Sequence, residues 1–352
     1  MAPTTLKQLL KKPVYRLTDY IVGSDYFREL FWQTFRDLHR PDSVARMDYL
    51  DNPYGDGPSA ESPGTGQTGA PVFITARFRS GSTFLWQVFR QLEGVTAYYE
   101  PLNENQWFLD REYGTDDTHI GVDNYNVEYR GLSRLSDVYN PAWVNRNLFM
   151  TARDHDPALQ TYITALIEAT DHRPVLQFNR MDFRLAWLAA QFPEARIVHL
   201  YRHPRQQWMS ILKDGGGPST DYRYRHDDPL DLFYLINWAK DLRLHFPFLE
   251  PEGQHPYAIH YYLWRLSHMA GKQHAHVSIG YEELITDFTG VASRLFQALG
   301  LTVSSEEIDR LAGLNAGRVK ESWRQYAKPD WFSEIEAGCD RVLRRFLEAG
   351  HP

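Results

Sequence analysis

Five short apolar runs in this chain each lead to a residue that can do chemistry. Residues 71–76 (PVFITA) run into a polar loop of Arg77, Phe78, Arg79, Ser80, Gly81, Ser82 and Thr83. Residues 95–99 lead to Glu100, 175–178 to Arg180, 197–201 to Arg202, and 276–280 to Tyr281. These ends bring three cationic sites, a carboxylate and a phenol. Gathered cations select an anionic ligand, and a carboxylate beside them can take a proton from a hydroxyl. The loop at 77–83 is the strongest local signal. Gly81 permits a tight turn, and a helix opening behind it would aim backbone N–H groups and its dipole at an anion. Ser82 and Thr83 offer hydroxyls, and Arg79 can bridge two oxygens of one phosphate. The bland alternative is a tight turn with a helix cap, since such a polar run is common in loops.

An ATP-type phosphate loop needs two glycines and a lysine before its hydroxyl residue. Residues 77–83 hold one glycine and no lysine. The ligand expected is therefore a nucleotide without a metal-clamped triphosphate.

The elements that must position these residues follow from periodicity. The apolar runs are β-rich, and helical stretches follow them: 84–92, one ending near Gln191, one after Pro204, and one from Asp287 to Leu299. Strands alternating with helices predict an α/β fold with a P-loop-like parallel β-sheet flanked by helices. In such a sheet ligands sit at the carboxyl edge of the strands, so the five strand ends share one rim. Residues 103–170 break the rhythm and read as an insertion or lid. Its rings (Trp107, Tyr113, Tyr125, Tyr129, Tyr139 and Trp143) suit sugars, phenols or flat apolar groups, or are simply core. Residues 1–70 read as N-terminal helices with a flexible linker from 51 to 70, leaving 71–352 as the main domain. A C-terminal helix is expected with Ser333 and Glu336 as a capping box, and with Ile335, Cys339, Val342, Phe346 and Leu347 as its apolar face.

Composition narrows the class. The 352 residues are ample for a sizeable core, and a net charge of −7 argues against a nucleic-acid partner. Cys339 is the only cysteine, so no intrachain disulfide can form. No apolar run has the length of a membrane span, and Lys7, Lys11 and Lys12 interrupt the apolar stretch at 6–10. The expectation is a soluble, cytoplasmic chain. His274 and His276 alternate at strand spacing without a third ligand, so no metal site is expected. His119 and His172 are either an alternative base or unassigned surface histidines.

At these residues the sequence resembles the PAPS-dependent sulfotransferases (PAPS is 3′-phosphoadenosine 5′-phosphosulfate). The segment FITARFRSGSTFLWQVF is similar to their 5′-phosphosulfate loop. Residues 198–204 (VHLYRHP) followed by Ser210 are similar to their 3′-phosphate motif, and residues 281–284 (YEEL) with the helix to 301 resemble a third segment. The arginine loop followed by Tyr99, Glu100 and Pro101 is nearest to the carbohydrate and tyrosylprotein branches.

The resemblance implies a site. Arg77, Arg79, Ser80, Gly81, Ser82 and Thr83 would hold the 5′-phosphosulfate; Arg202 and Ser210 would hold the 3′-phosphate. Tyr281 would contact adenine and Phe84 would stack on it, or either ring is core. Glu100 would be the general base, or else the partner of an ion pair with Arg79 or Arg180. Arg79 and Arg180 would stabilise the transition state. Lys320, Ser322 and Arg324 lie where the family closes a basic loop over the nucleotide; a solvated basic turn is the alternative. PAPS would leave as 3′-phosphoadenosine 5′-phosphate (PAP), and no metal is required because arginines supply the positive charge. The acceptor would carry a hydroxyl, a carbohydrate being one candidate, and the acidic residues Asp110, Glu112, Asp116, Asp117 and Asp123 favour a neutral or cationic one. The competing readings are a nucleotide kinase-like phosphotransferase and a non-catalytic nucleotide-binding protein.

Overall fold

The computed structural model describes residues 47–54, 69–109, 111, 124–212, 217–314, 317, 319 and 321–349. The expected helices within 1–40, most of the expected linker, Tyr113, His119, Lys320 and the acidic residues at 110, 112, 116, 117 and 123 lie outside the described residues.

The chain order begins β1 (Val72–Ala76), α1 (Ser82–Arg90), β2 (Val95–Tyr99), α2 (Pro157–Glu168), β3 (Arg173–Phe178) and α3 (Leu185–Gln191). It continues with β4 (Arg196–Tyr201), α4 (Pro204–Leu212), α5 (Leu235–Leu242), α6 (Pro256–His274), β5 (Val277–Gly280) and α7 (Tyr281–Thr286). The last helices are α8 (Phe288–Ala298), α9 (Ser305–Ala312) and α10 (Pro329–Glu348). The strands form one parallel sheet in the order β2-β3-β1-β4-β5. Each expected strand is present within three residues of its predicted start. The residues of β1 and β3 are buried along their whole length. Because successive side chains point to opposite faces, both faces of the central strands are covered, which is the burial a β-branched run such as VFITA requires.

Parallel pairing sends every strand's carboxyl end the same way. The loop 77–81, Glu100, Arg180, Arg202 and Tyr281 therefore leave the sheet on one side. Between β2 and β3 the chain forms short 3₁₀ turns and then α2, packed on the core through Tyr129, Leu135, Tyr139, Trp143 and Tyr162.

Helix α6 has no counterpart in the sequence pattern, for a physical reason. Its residues from Pro256 to Gly271 are all buried, so no polar stripe marks a helical period. Its start is nonetheless written locally: Pro256 fills the first turn, and the His255 ring accepts from the Tyr257 N–H at 2.9 Å. The expected capping box at the C-terminal helix is corrected. Helix α10 begins at Pro329, four residues earlier, so Ser333 and Glu336 stand inside it. The Ser333 hydroxyl donates to the Pro329 carbonyl, and Glu336 pairs with Arg205 at 2.7 Å. Proline at a first-turn position, not the capping box, sets this start. Cys339 is buried on the inner face of α10, and burial pushes its thiol up to about 12. Among the described residues no helix is long and apolar enough to cross a membrane.

Candidate active site

One cleft of about 750 Å³ opens at the strand ends. Arg79, Gly81, Ser82, Thr83, Phe84, Glu100, Arg180, Arg202, Ser210 and Tyr281 all line it. All five strand ends and α4 thus deliver these side chains to a single place.

The loop begins with a conformational demand. Arg79 and Gly81 both have positive φ, 66° and 90°. Gly81 stands at the N-terminus of α1, where no side chain caps the helix. A Cβ on Gly81 would lie 2.4 Å from the Tyr281 ring, so glycine is required for space as well as for backbone angle. The outcome is a helix N-terminus facing the cleft, with the Ser82 and Thr83 hydroxyls beside it.

Arg79 is fixed to Ser210 on α4. Its Nε donates to the Ser210 Oγ at 3.0 Å and to the Ser210 carbonyl at 3.1 Å. Arg202 donates to the Arg79 carbonyl at 3.1 Å, and its guanidinium lies 4.6 Å from the centre of the Tyr281 ring. The Arg202 Nε is buried without a hydrogen-bond partner among the described residues. An orphaned guanidinium donor beside an aromatic face suits an anionic ligand that brings its own acceptors.

Glu100 is buried and accepts from three donors: the Asn179 and Asn103 amides, and Arg180 at 3.1 Å. Arg180 also pairs with Glu104, which in turn accepts from the Tyr234 hydroxyl at 2.6 Å. Burial works against the Arg180 charge, but Glu100 and Glu104 outweigh it and hold its pKa above the usual guanidinium range. Asn179 ties this group to the loop. Its amide donates to Glu100, so its carbonyl oxygen must be the acceptor for Ser82 at 3.1 Å and for Gln177 at 2.7 Å.

The Glu100 backbone is held in turn. At φ 38° it occupies the left-handed region, which costs a non-glycine residue about 1–3 kcal/mol. Three tyrosine hydroxyls bind the carbonyls around it: Tyr129 to Tyr99 at 2.9 Å, Tyr162 to Pro101 at 2.6 Å, and Tyr139 to Asn103 at 3.0 Å. Of the aromatic residues flagged between 103 and 170, Trp107 and Tyr125 line the cleft. Tyr129, Tyr139 and Trp143 are packed in the core and do not line the cleft, and the hydroxyls of Tyr129 and Tyr139 brace the Glu100 turn.

Arg77, Ser80, Ser322 and Arg324 are not among the residues that line the cleft. Arg77 is buried against Asp182 at 3.7 Å, with its guanidinium 4.6 Å from the Trp238 ring. Burial lowers its pKa and Asp182 opposes the shift. The Ser80 hydroxyl is buried and accepts from Gln207 at 2.8 Å. Arg324 pairs with Glu321 at 2.5 Å and lies over Trp323, as a solvated basic turn would. His276 serves the sheet, its Nδ1 accepting from the Ile197 N–H at 3.1 Å. Among the described residues no group of three or more His, Cys, Asp or Glu side chains is arranged to hold a metal ion.

Sequence reasoning passed over Asn179, Asn103, Glu104, Asp231, Phe233 and Tyr234, which also line the cleft. Asn179 carried a readable signal, since it directly precedes Arg180 at the end of a strand run. The others did not: Phe233 and Tyr234 reach the site through two consecutive left-handed residues, φ 48° and 64°, which no apolar period announces.

The chain belongs to the sulfotransferase family, whose model matches residues 71–305. No curated protein sequence matches it. Among solved structures it is similar to the sulfotransferase domain of the olefin synthase of Synechococcus PCC 7002, at 15% identity over 82% of this chain and 97% of that one, with a TM-score of 0.38. A mouse sulfotransferase complexed with PAP shares 14% identity over 81% of this chain and 90% of that one, with a TM-score of 0.39. A sulfotransferase from Mycobacterium avium shares 13% identity over 80% of this chain and 77% of that one, with a TM-score of 0.41.

Proposed function

We propose that the cleft binds PAPS and directs its sulfonate to an acceptor hydroxyl, with Glu100 as the general base. One observation carries the reading: an uncapped helix N-terminus, two linked arginines and a buried carboxylate share one cleft. The Ser82 and Thr83 hydroxyls and the α1 N-terminus receive the 5′-phosphosulfate, with Arg79 beside them. Arg202 and Ser210 hold the 3′-phosphate, and the Tyr281 ring, with Phe84 near it, meets the base. One feature fits such a ligand, namely the orphaned Arg202 Nε.

When bound, PAPS supplies a sulfonate attached to a phosphate that can leave. The chain's own residues do the rest. Glu100 takes the hydroxyl proton, and the Asn179 and Asn103 amides aim its carboxylate. Arg180 answers the negative charge that grows on the departing phosphate. Its dual pairing with Glu100 and Glu104 fixes its position before reaction, so little reorganisation is needed. The amides of Gln87, Asn103, Asn105 and Asn237 and the rings of Trp107 and Tyr125 line the remaining wall, together with Glu104 and Asp231. That lining favours a neutral acceptor rich in hydroxyls, such as a carbohydrate, over a polyanion.

The test is calorimetric titration with PAP and with ADP, followed by turnover of labelled PAPS against neutral and sulfated sugars. Tight binding of PAP with weak binding of ADP supports the donor site. Equal affinities would move a kinase-like phosphotransferase ahead, and preferred turnover of sulfated sugars would overturn the acceptor reading.

A further inference from the structure

The family match starts at residue 71, yet a segment well before it is built into the nucleotide side of the cleft. Residues 47–54 (MDYLDNPY) cross α6 and α10. Arg265 donates to the Leu50 carbonyl, Asn52 donates to the Tyr261 hydroxyl at 3.2 Å, and Arg344 lies 4.4 Å from the centre of the Tyr49 ring. Asn52 also accepts from the Tyr54 N–H at 3.0 Å, which turns the chain so that Tyr54 points inward.

Tyr54 ends against the Arg202 motif. Its hydroxyl donates to Glu282 Oε2 at 2.6 Å, while Glu282 Oε1 accepts the backbone N–H of His203 at 3.1 Å. The Tyr54 ring packs 4.6 Å from the His203 ring and 6.1 Å from Trp264. Trp264 in turn donates to the Arg202 carbonyl at 2.8 Å. The peptide that joins Arg202 to His203 is thus gripped at both its carbonyl and its N–H, and Tyr54 braces both grips. Burial and the Glu282 carboxylate push the Tyr54 phenol well above its usual range, so it stays the donor.

We infer that Tyr54 is a positioning residue for the 3′-phosphate site, acting through Glu282 and the 202–203 peptide on the direction of the Arg202 side chain. The inference rests on the proposed assignment of Arg202 to that phosphate. Among the described residues the Arg202 side chain makes a single direct hydrogen bond, to the Arg79 carbonyl, and stacks on one ring. Its aim therefore depends on how firmly its backbone is held. A small rotation there would move the guanidinium off the phosphate while leaving Glu100, Arg180 and the α1 N-terminus in place.

The experiment uses the full chain and four variants: Tyr54→Phe, Tyr54→Ala, Glu282→Gln and Arg202→Ala. Tyr54→Phe keeps the ring and removes the hydrogen bond. It is expected to weaken PAP binding about 10-fold, the scale of a hydrogen bond to a charged group, with ADP affinity unchanged. Donor KM should rise by more than kcat falls. Tyr54→Ala should lose more of the preference for PAP over ADP, and Glu282→Gln, which keeps an acceptor for only one of the two donors and sets an NH2 against the other, should lose part of it. A Tyr54→Phe protein with the wild-type PAP-to-ADP ratio overturns the inference, even if it melts at a lower temperature. Arg202→Ala separates the two levels. If that variant keeps the ratio, the donor assignment itself has failed; if it loses the ratio while Tyr54→Phe keeps it, only the role of Tyr54 has failed.

Discussion

Glu100 combines three properties rarely found in a surface carboxylate: burial, a left-handed backbone and a full set of donors. The ion pair with Arg180 and the proposed role of base are compatible, because Glu104 shares the cation. Glu100→Gln should bind PAP as well as wild type, since Arg180 keeps Glu104, yet lose about 10²–10⁴-fold in turnover. Calorimetry beside a turnover assay reads both; unchanged turnover removes Glu100 from the mechanism. Gly81 makes a sharper case for the donor loop. Gly81→Ala places a methyl within 2.4 Å of Tyr281 at φ 90°, so stability should fall by about 1–3 kcal/mol and PAP affinity should fall with it. A thermal melt and the same titration check this. Both residues were singled out in the sequence, as were Arg180, Arg202 and Tyr281 beside their strand ends, whereas Asn179, directly after β3, was passed over. Arg77 shares that position, yet its side chain turns toward Asp182, and the one-dimensional pattern does not say which way a loop residue points.

At the level of elements, the strands and their helices declared themselves, and the region between β2 and β3 did not. Its aromatic richness invited a ligand reading. In the fold those phenols largely serve as hydrogen-bond donors to the backbone of residues 99–103. Long-range bonds of that kind leave no periodic trace. Their role predicts a specific phenotype. Tyr162→Phe strands the Pro101 carbonyl in a buried site, which should cost about 1–3 kcal/mol, and should lower kcat with PAP affinity unchanged. Adding Tyr129→Phe should reduce kcat further. Loss of PAP binding in either variant, as judged by calorimetry, would show that the turn serves the donor loop instead of the base. Helix α6 was illegible for the opposite reason: burial on all sides removes the amphipathic stripe on which a helical reading depends.

Across the whole molecule, buried histidines set the response to acid. Burial, with help from nearby cations, lowers His199 and His260 to about 3, His203, His245 and His255 to about 4, and His268 to about 2. Each is neutral in the fold, while in the unfolded chain it binds a proton near pH 6.5. The unfolded state therefore takes up more protons below that pH, and stability falls as pH drops from about 6.5 toward the folded values. Each such group contributes at most about 1.4 kcal/mol per pH unit. Denaturant midpoints should be flat from pH 8 to 7 and drop steeply between 6 and 4; a flat profile through pH 5 would contradict this account.

The lone thiol of Cys339 has a practical consequence. A cysteine this deeply placed, with its pKa pushed up to about 12, presents almost no thiolate at neutral pH. The native chain should ignore Ellman's reagent and yield one reactive thiol per chain in denaturant. The wild-type protein is then already a blank background for site-directed labelling. A fluorophore on a cysteine introduced at Phe233 would report nucleotide and acceptor arrival without first removing a native sulfur.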